Sequence, residues 1–527
     1  MMPLHASFAR LVGLGIALSF GAGWGCGGES IVPTPPVPVS LASKDVKVVV
    51  DLDPFVLHIL DKGGREILTS LDGPAGDAYG GPAATVDTPY NVARSLPGWD
   101  GYQANEAPWR RARSARVVGS GATSATFALD AAEGPLSLTL TVDVAGPRVH
   151  LSVRARESAA KDAKNALNKS TLGFHLGADE HFFGLGERFT TIDHRGLSLY
   201  SWAEEGGLAL GEGEPASSGA PLPNGPSMTY FPVSFFLSSH GYAVHLATTY
   251  RTEVHLGSER DDAWRLAVNA PSFEATVYVE ADPLAAIADY TEDTGRPLVP
   301  APWVFGPRRR VNRGAMVEGM PEPVAMRKHG IAVTGIDDAL HFLPASSQVG
   351  IEADVAAWTK SLHDLGYKAM AYNNPYVAES APSAAVDYAF GKEHGYFIKD
   401  ASGEPILTEF ISGKLLRVAG IDLTNPDAVT WFQSLLHRAL DLGYDGWMHD
   451  FGEYTARNAV LADGRLGDEV HNQYPVLSAK AAHDLLEKER PGDYLFFVRS
   501  GSSGTQEYAP AVWGGDAEAT FDESQGL

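Results

Sequence analysis

Two aspartates, each following a short apolar run, have the residue types and setting for acid–base and nucleophilic chemistry. Gly446-Trp447-Met448-His449 leads into Asp450-Phe451-Gly452-Glu453-Tyr454, and Trp513-Gly514-Gly515 leads into Asp516. Between them Phe496-Phe497-Val498 leads into Arg499-Ser500-Gly501. Cleavage of a glycosidic bond needs such a pair of carboxyl groups, one ionised to meet the developing oxocarbenium ion and one protonated to assist the departing oxygen. A guanidinium beside the first, here Arg499, stabilises the ionised form, and neighbouring negative charge keeps a proton on the second. Trp447, Phe451 and Trp513 flank the acids with flat apolar faces that suit a sugar ring, and Glu453 is a further candidate for binding it. An aspartate at a strand end is more often a helix cap or turn former. The chemistry therefore depends on the elements that would bring these groups together.

From about 45 to 282 the chain has the pattern of strands. Leu136, Leu138, Leu140, Val142 and Val144 alternate with polar residues, Ala145-Gly146-Pro147 makes a turn, and Val149, Leu151 and Val153 resume the alternation. Similar patterns at Lys47 to Leu60, Phe235 to Leu246 and Phe273 to Glu280 predict an N-terminal β-sandwich domain. The Gly- and Pro-rich segment 203–227 is expected to be a surface loop. From 283 to 527 strands alternate with helices, which predicts a (β/α)8 TIM-type barrel. Its strands are expected at Val304 to Arg309, Ile331 to Ile336, Lys368 to Tyr372, Gly446 to His449, Tyr494 to Val498 and Ala511 to Trp513. The barrel is thus incomplete, with about six of eight strands. Asp450, Arg499 and Asp516 follow the fourth, fifth and sixth, at the strand ends where barrels carry function. Asp337 and Asp338 end the second, where a carboxylate suits the hydroxyls of a neutral sugar and a helix cap is the alternative. Arg308-Arg309-Arg310 and Arg313 fit charge balance in an acidic protein, with bidentate recognition of a uronate as the sharper alternative.

Composition narrows the partners. The 527 residues hold 41 basic and 65 acidic side chains, a net charge of −24, which repels nucleic acid. One cysteine excludes a disulfide framework, and His181, His194 and His449 lack metal-ligand spacing, so neither metal nor cofactor is expected. His449, adjoining Asp450, is expected to face the surrounding helices. Residues 1–25 have the pattern of a signal peptide, and Cys26 follows it where a lipidated cysteine would stand. With the Pro-rich linker 26–44, this predicts an exported protein of the bacterial cell envelope, periplasmic or extracellular, anchored to a membrane through Cys26.

Several motifs in order resemble glycoside hydrolase family 31, the retaining α-glucosidase family. They are Phe182-Phe183-Gly184-Leu185-Gly186-Glu187-Arg188, Phe231-Pro232 through Tyr242, Trp447 to Glu453, Phe497 to Gly501 and Trp513 to Asp516. The resemblance implies an α-glycoside or oligosaccharide substrate, with Asp450 as nucleophile, Asp516 as proton donor and Arg499 as a sugar contact. Tyr372 to Ala378, Asp422 to Pro426 and Asp450 to Tyr454 are similar to the sulfoquinovosidase-like branch. The sulfonate-reading residues of that branch are not matched: Asn312 or Arg313 stands near its first glutamine, and Ile336-Asp337-Asp338-Ala339 replaces the second. An α-glucoside is therefore expected rather than sulfoquinovose, with an α-xyloside or an acidic sugar as alternatives. The family also contains transglycosylases and lyases with the same nucleophile. Ending at Leu527, the chain lacks the family's last two barrel strands, which implies a fragment of a longer enzyme or an inactive, glycan-binding relative.

Overall fold

A computed structural model describes residues 36–73, 76–88, 90–93, 100–131, 136–157, 166–205, 225–411 and 415–515. The alternating segments form a β-sandwich. Leu136–Ala145 pairs antiparallel with Arg148–Glu157 across a turn at Gly146, in a register that sets Leu140 beside Val153 and Val142 beside Leu151. These four side chains are buried with Phe127, Phe182 and Trp264 in one apolar core. Thirteen strands make one continuous curled sheet, and Val39–Ala42 to Glu66–Thr69 add a four-stranded sheet.

After the helix Pro283–Thr294 the chain builds a curled parallel sheet, half of a barrel. Its strands, in spatial as well as chain order, are β1 (Arg308–Arg310), β2 (Gly335–His341), β3 (Lys368–Asn373), β4 (Gly446–His449), β5 (Leu495–Val498) and β6 (Ala511–Val512). The helices Glu352–Asp364, Pro426–Asp441 and Tyr474–Glu489 connect successive units. Asn425 caps the second of these, its side chain accepting from the Asp427 amide.

Two strands differ from expectation. Pro302–Phe305 forms a 3-10 turn, so β1 starts only at Arg308. The apolar run from Ile331 does not open β2. The Ile331 amide bonds to the Met326 carbonyl at 2.9 Å, and Gly330 adopts φ +67°, so these residues close the helix Glu322–Lys328 instead. A small antiparallel sheet after β3, made of Tyr376–Ala378, Leu407–Ile411 and Leu415–Gly420, was not anticipated.

Candidate active site

Register decides which side chains enter the half-barrel. Paired residues on parallel neighbours share a face, and every second residue along a strand returns to it. Met370 of β3 is paired with Asp337 of β2 and Gly446 of β4, and Met448 of β4 with Phe497 of β5. The same face therefore carries Arg308 and Arg310, Asp337, Tyr372, Met448 and, past the strand ends, Asp450, Arg499 and Trp513. All of these line one cavity of about 460 Å³. A larger cleft of about 680 Å³ lies between sandwich and barrel, but its one acidic lining residue, Glu274, is paired with Arg154. Carboxylates cluster instead at the smaller cavity, which Asp450, Asp337, Asp338 and Glu205 line.

Asp450 is 5% exposed and its two oxygens are held separately. Oδ2 accepts from the Tyr372 hydroxyl at 2.6 Å, and Oδ1 accepts from the Phe451 amide at 3.0 Å, with Arg499 Nε at 3.4 Å. Phe451 takes a left-handed backbone (φ +62°), and its ring lies 3.6 Å from the Arg499 guanidinium carbon. Gly452 follows at φ +124°, where an added Cβ would meet Pro475 at 3.3 Å. This turn carries Glu453 behind Asp450, where it accepts from Arg499 and from the Ser500 hydroxyl. Burial opposes the charge on Arg499, but Asp450, Glu453 and Glu205 around it more than offset this and hold it protonated. Burial pushes the Glu453 carboxyl up, against the pull of Arg499.

Glu205 comes from the sandwich. Its carboxylate lines the cavity, accepts from the Tyr454 hydroxyl and lies 3.4 Å from Arg499. The Phe182 to Arg188 motif helps to place it. Arg188 donates to the carbonyls of Leu185, Tyr200 and Ser227 at 3.0, 2.7 and 2.7 Å, tying together the stretches on either side of Glu205. On the barrel side, Trp202 stacks on His471 at 3.6 Å, and Asn472 bonds to Ala203 and Ser201. The segment starting at 203 is therefore not a surface loop at its beginning: Ala203 is buried and Glu205 reaches the site. Residues 206–224 of it lie outside the described residues.

Of the residues singled out in the sequence, Asp450, Arg499, Asp337, Asp338 and Trp513 meet at this cavity. Asp338 also accepts from Tyr444 at 2.7 Å and lies 3.5 Å from Arg313. Trp447 is a correction: it is fully buried in the helix-facing core and donates to His449, because it alternates away from Met448 and Asp450. His449 shares that face and bonds to Ser478 of Tyr474–Glu489 at 2.7 Å, and burial pushes it down to about 3. Glu453 is a second correction, since its carboxylate is spent on Arg499 and Ser500 rather than on the cavity. Asp516 and Cys26 lie outside the described residues.

Sequence reasoning missed Glu205, Tyr372 and His341. His341 stacks on Tyr372 at 3.9 Å, and burial pushes it down to about 4, so it is neutral at neutral pH. Tyr372 had two available signals, its place at the end of a strand and its position at the head of the Tyr372 to Ala378 motif. A hydrogen bond to a charged group contributes about 1.5–3 kcal/mol. Tyr372→Phe is therefore expected to lower kcat about 10–100-fold, with a much smaller change in KM, in steady-state assays. An unchanged kcat would remove Tyr372 from the machinery.

Residues 350–526 match the glycosyl hydrolases family 31 TIM-barrel domain, and residues 32–254 match the glycosyl hydrolase 31 N-terminal galactose mutarotase-like domain. The chain belongs to glycoside hydrolase family 31. It is 28% identical over 359 residues to an α-xylosidase of Emericella nidulans, covering 66% of this chain and 43% of that one. It is 27% identical over 387 residues to a sulfoquinovosidase of Escherichia coli, covering 68% of this chain and 55% of that one. The chain thus spans about half the length of these curated relatives. Its fold is similar to that of a family 31 sulfoquinovosidase from E. rectale solved with an aza-sugar inhibitor, with a TM-score of 0.75 and 21% identity over 93% of this chain and 70% of that one.

Proposed function

We propose that the protein is a retaining, exo-acting α-glycosidase working by double displacement. The observation that carries this reading is Asp450 itself, buried beside Arg499, with its two oxygens fixed by different donors and facing a cavity of about 460 Å³. A carboxylate so held attacks the anomeric carbon as the bond to the leaving oxygen breaks, while Asp516 gives that oxygen its proton. Asp516 then takes a proton from water. The resulting hydroxide attacks the same carbon and releases Asp450, so two inversions retain the α configuration. Fixing the carboxylate before substrate arrives spares its reorganisation in the transition state. The curated relatives named α-xylosidase and sulfoquinovosidase support α-linked substrates. The leader at 1–25 and Cys26 complete the proposal as an exported, lipid-anchored protein acting on glycosides in the bacterial envelope. Proton NMR during cleavage of aryl α-glycosides is expected to show the α-anomer first; a β-anomer first would exclude double displacement.

A further inference from the structure

We propose that the cavity around Asp450 includes a site for the carboxylate of an α-linked uronic acid, with Arg310 as the residue that pairs with it; this rests on the α-glycosidase reading of the same site. Four arginines cluster near β1, and three are balanced. Arg309 alternates to the other face and bonds to Glu322 at 3.0 Å. Arg313 lies 3.5 Å from Asp338. Arg308 lies 3.5 Å from Asp337, with its guanidinium carbon 4.2 Å from the centre of the Phe497 ring. Arg310 lies two residues beyond Arg308, on the same face, and lines the cavity. Among the described residues it makes no hydrogen bond and no ion pair. Charge balance in an acidic protein accounts for the other three arginines and leaves this one over.

The register places Arg310 directly beside Asp337 on β2. Oδ1 of Asp337 is buried and has no hydrogen-bond partner among the described residues. Burial pushes this carboxyl up despite Arg308 and Arg310 nearby. An unspent guanidinium beside an unspent oxygen fits a ligand that places a carboxylate next to a hydroxyl. A uronic acid does so, with its carboxylate on C5 and a hydroxyl on C4. A planar carboxylate meets the guanidinium fork with two parallel bonds, whereas a tetrahedral sulfonate presents a third oxygen for which no further unspent guanidinium lines the described cavity. A neutral hexose would leave the charge of Arg310 unused.

The test compares 4-nitrophenyl α-glucuronide, α-glucoside and α-sulfoquinovoside on the whole protein and on its Arg310→Gln variant. The wild type is expected to favour the glucuronide over the glucoside at least about tenfold in kcat/KM, a difference of about 1.4 kcal/mol. Arg310→Gln is expected to reduce that ratio at least about tenfold. A wild-type preference for the glucoside or the sulfoquinovoside, or a ratio that Arg310→Gln leaves in place, overturns the inference while the α-glycosidase reading stands. If none of the three is cleaved, nor 4-nitrophenyl α-xyloside, that reading fails, and thermal shift decides the anion site on its own. D-glucuronate, and not D-glucose, is then expected to raise Tm in the wild type and to lose this effect in Arg310→Gln. An equal response to both sugars overturns the inference.

Discussion

Asp450→Asn is expected to lower kcat by about 10⁴-fold or more, the scale on which loss of an attacking group is felt. Asparagine keeps the shape of the side chain, and its amide oxygen still accepts one of the two hydrogen bonds that Asp450 receives from Tyr372 and the Phe451 amide. What it cannot do is form the ester to the anomeric carbon. Arg499 loses one of its three carboxylate neighbours but keeps Glu453 and Glu205, so the fold is expected to persist, with an unfolding midpoint in urea close to that of the wild type. The companion variant Asp450→Gly with added azide gives a sharper readout. Azide fits the space vacated by the carboxylate, and its attack as the aryl oxide leaves gives the β-glycosyl azide in a single inversion. Turnover of Asp450→Asn within about tenfold of the wild type, or an α-glycosyl azide from Asp450→Gly, sinks the assignment of the nucleophile.

Strand alternation explains why some of this site was legible in the sequence and some was not. The strand Gly446–His449 is where its pattern placed it, and the polar groups past its end and past Leu495–Val498 do reach one cavity. The period of two that sends His449 toward the helices applies equally to Trp447, whose aromatic surface beside an acid suggested a sugar platform; the indole instead packs in the core. Glu453 is displaced for a different reason. Nothing about a phenylalanine announces a left-handed backbone at Phe451, yet that turn takes the following carboxylate behind the cavity. Glu205 has no local signal at all. It stands before a Gly-rich stretch that resembles a loop, and it reaches the site only because Arg188 and Asn472, distant in sequence, fasten its neighbours. The Arg188 motif was recognisable, but the contacts that give it this purpose are tertiary. The start of β2 was misjudged because Ile331 is apolar in type but serves as the C-terminal closure of a helix.

Arg499→Met should destabilise the protein by about 3–5 kcal/mol at pH 8, measured by urea unfolding, because it leaves the buried Glu453 charge without its partner. The guanidinium is 2% exposed and the Glu453 side chain 0% exposed, so water cannot replace the lost interaction. The loss depends on pH in a defined direction. Burial already pushes Glu453 up, and removing Arg499 removes the charge that opposes the shift. Above the unfolded value of 4.5 the folded variant then holds more protons than its unfolded chain, so its stability falls as pH rises through the folded pKa. The gap from wild type is therefore expected to be small near pH 5 and largest at pH 8. Arg499→Met combined with Glu453→Gln removes one of the three carboxylates that Arg499 faces, and should regain part of the lost stability and lose the share of the pH dependence that Glu453 carries. A single variant within about 1 kcal/mol of wild type at pH 8, or a loss that is flat with pH, would show that Arg499 does not neutralise Glu453. The double variant also separates stability from catalysis. Without Arg499 the Asp450 carboxylate lacks its cation whatever the state of Glu453, so kcat/KM is expected to stay at least about 10²-fold low in a protein that folds well.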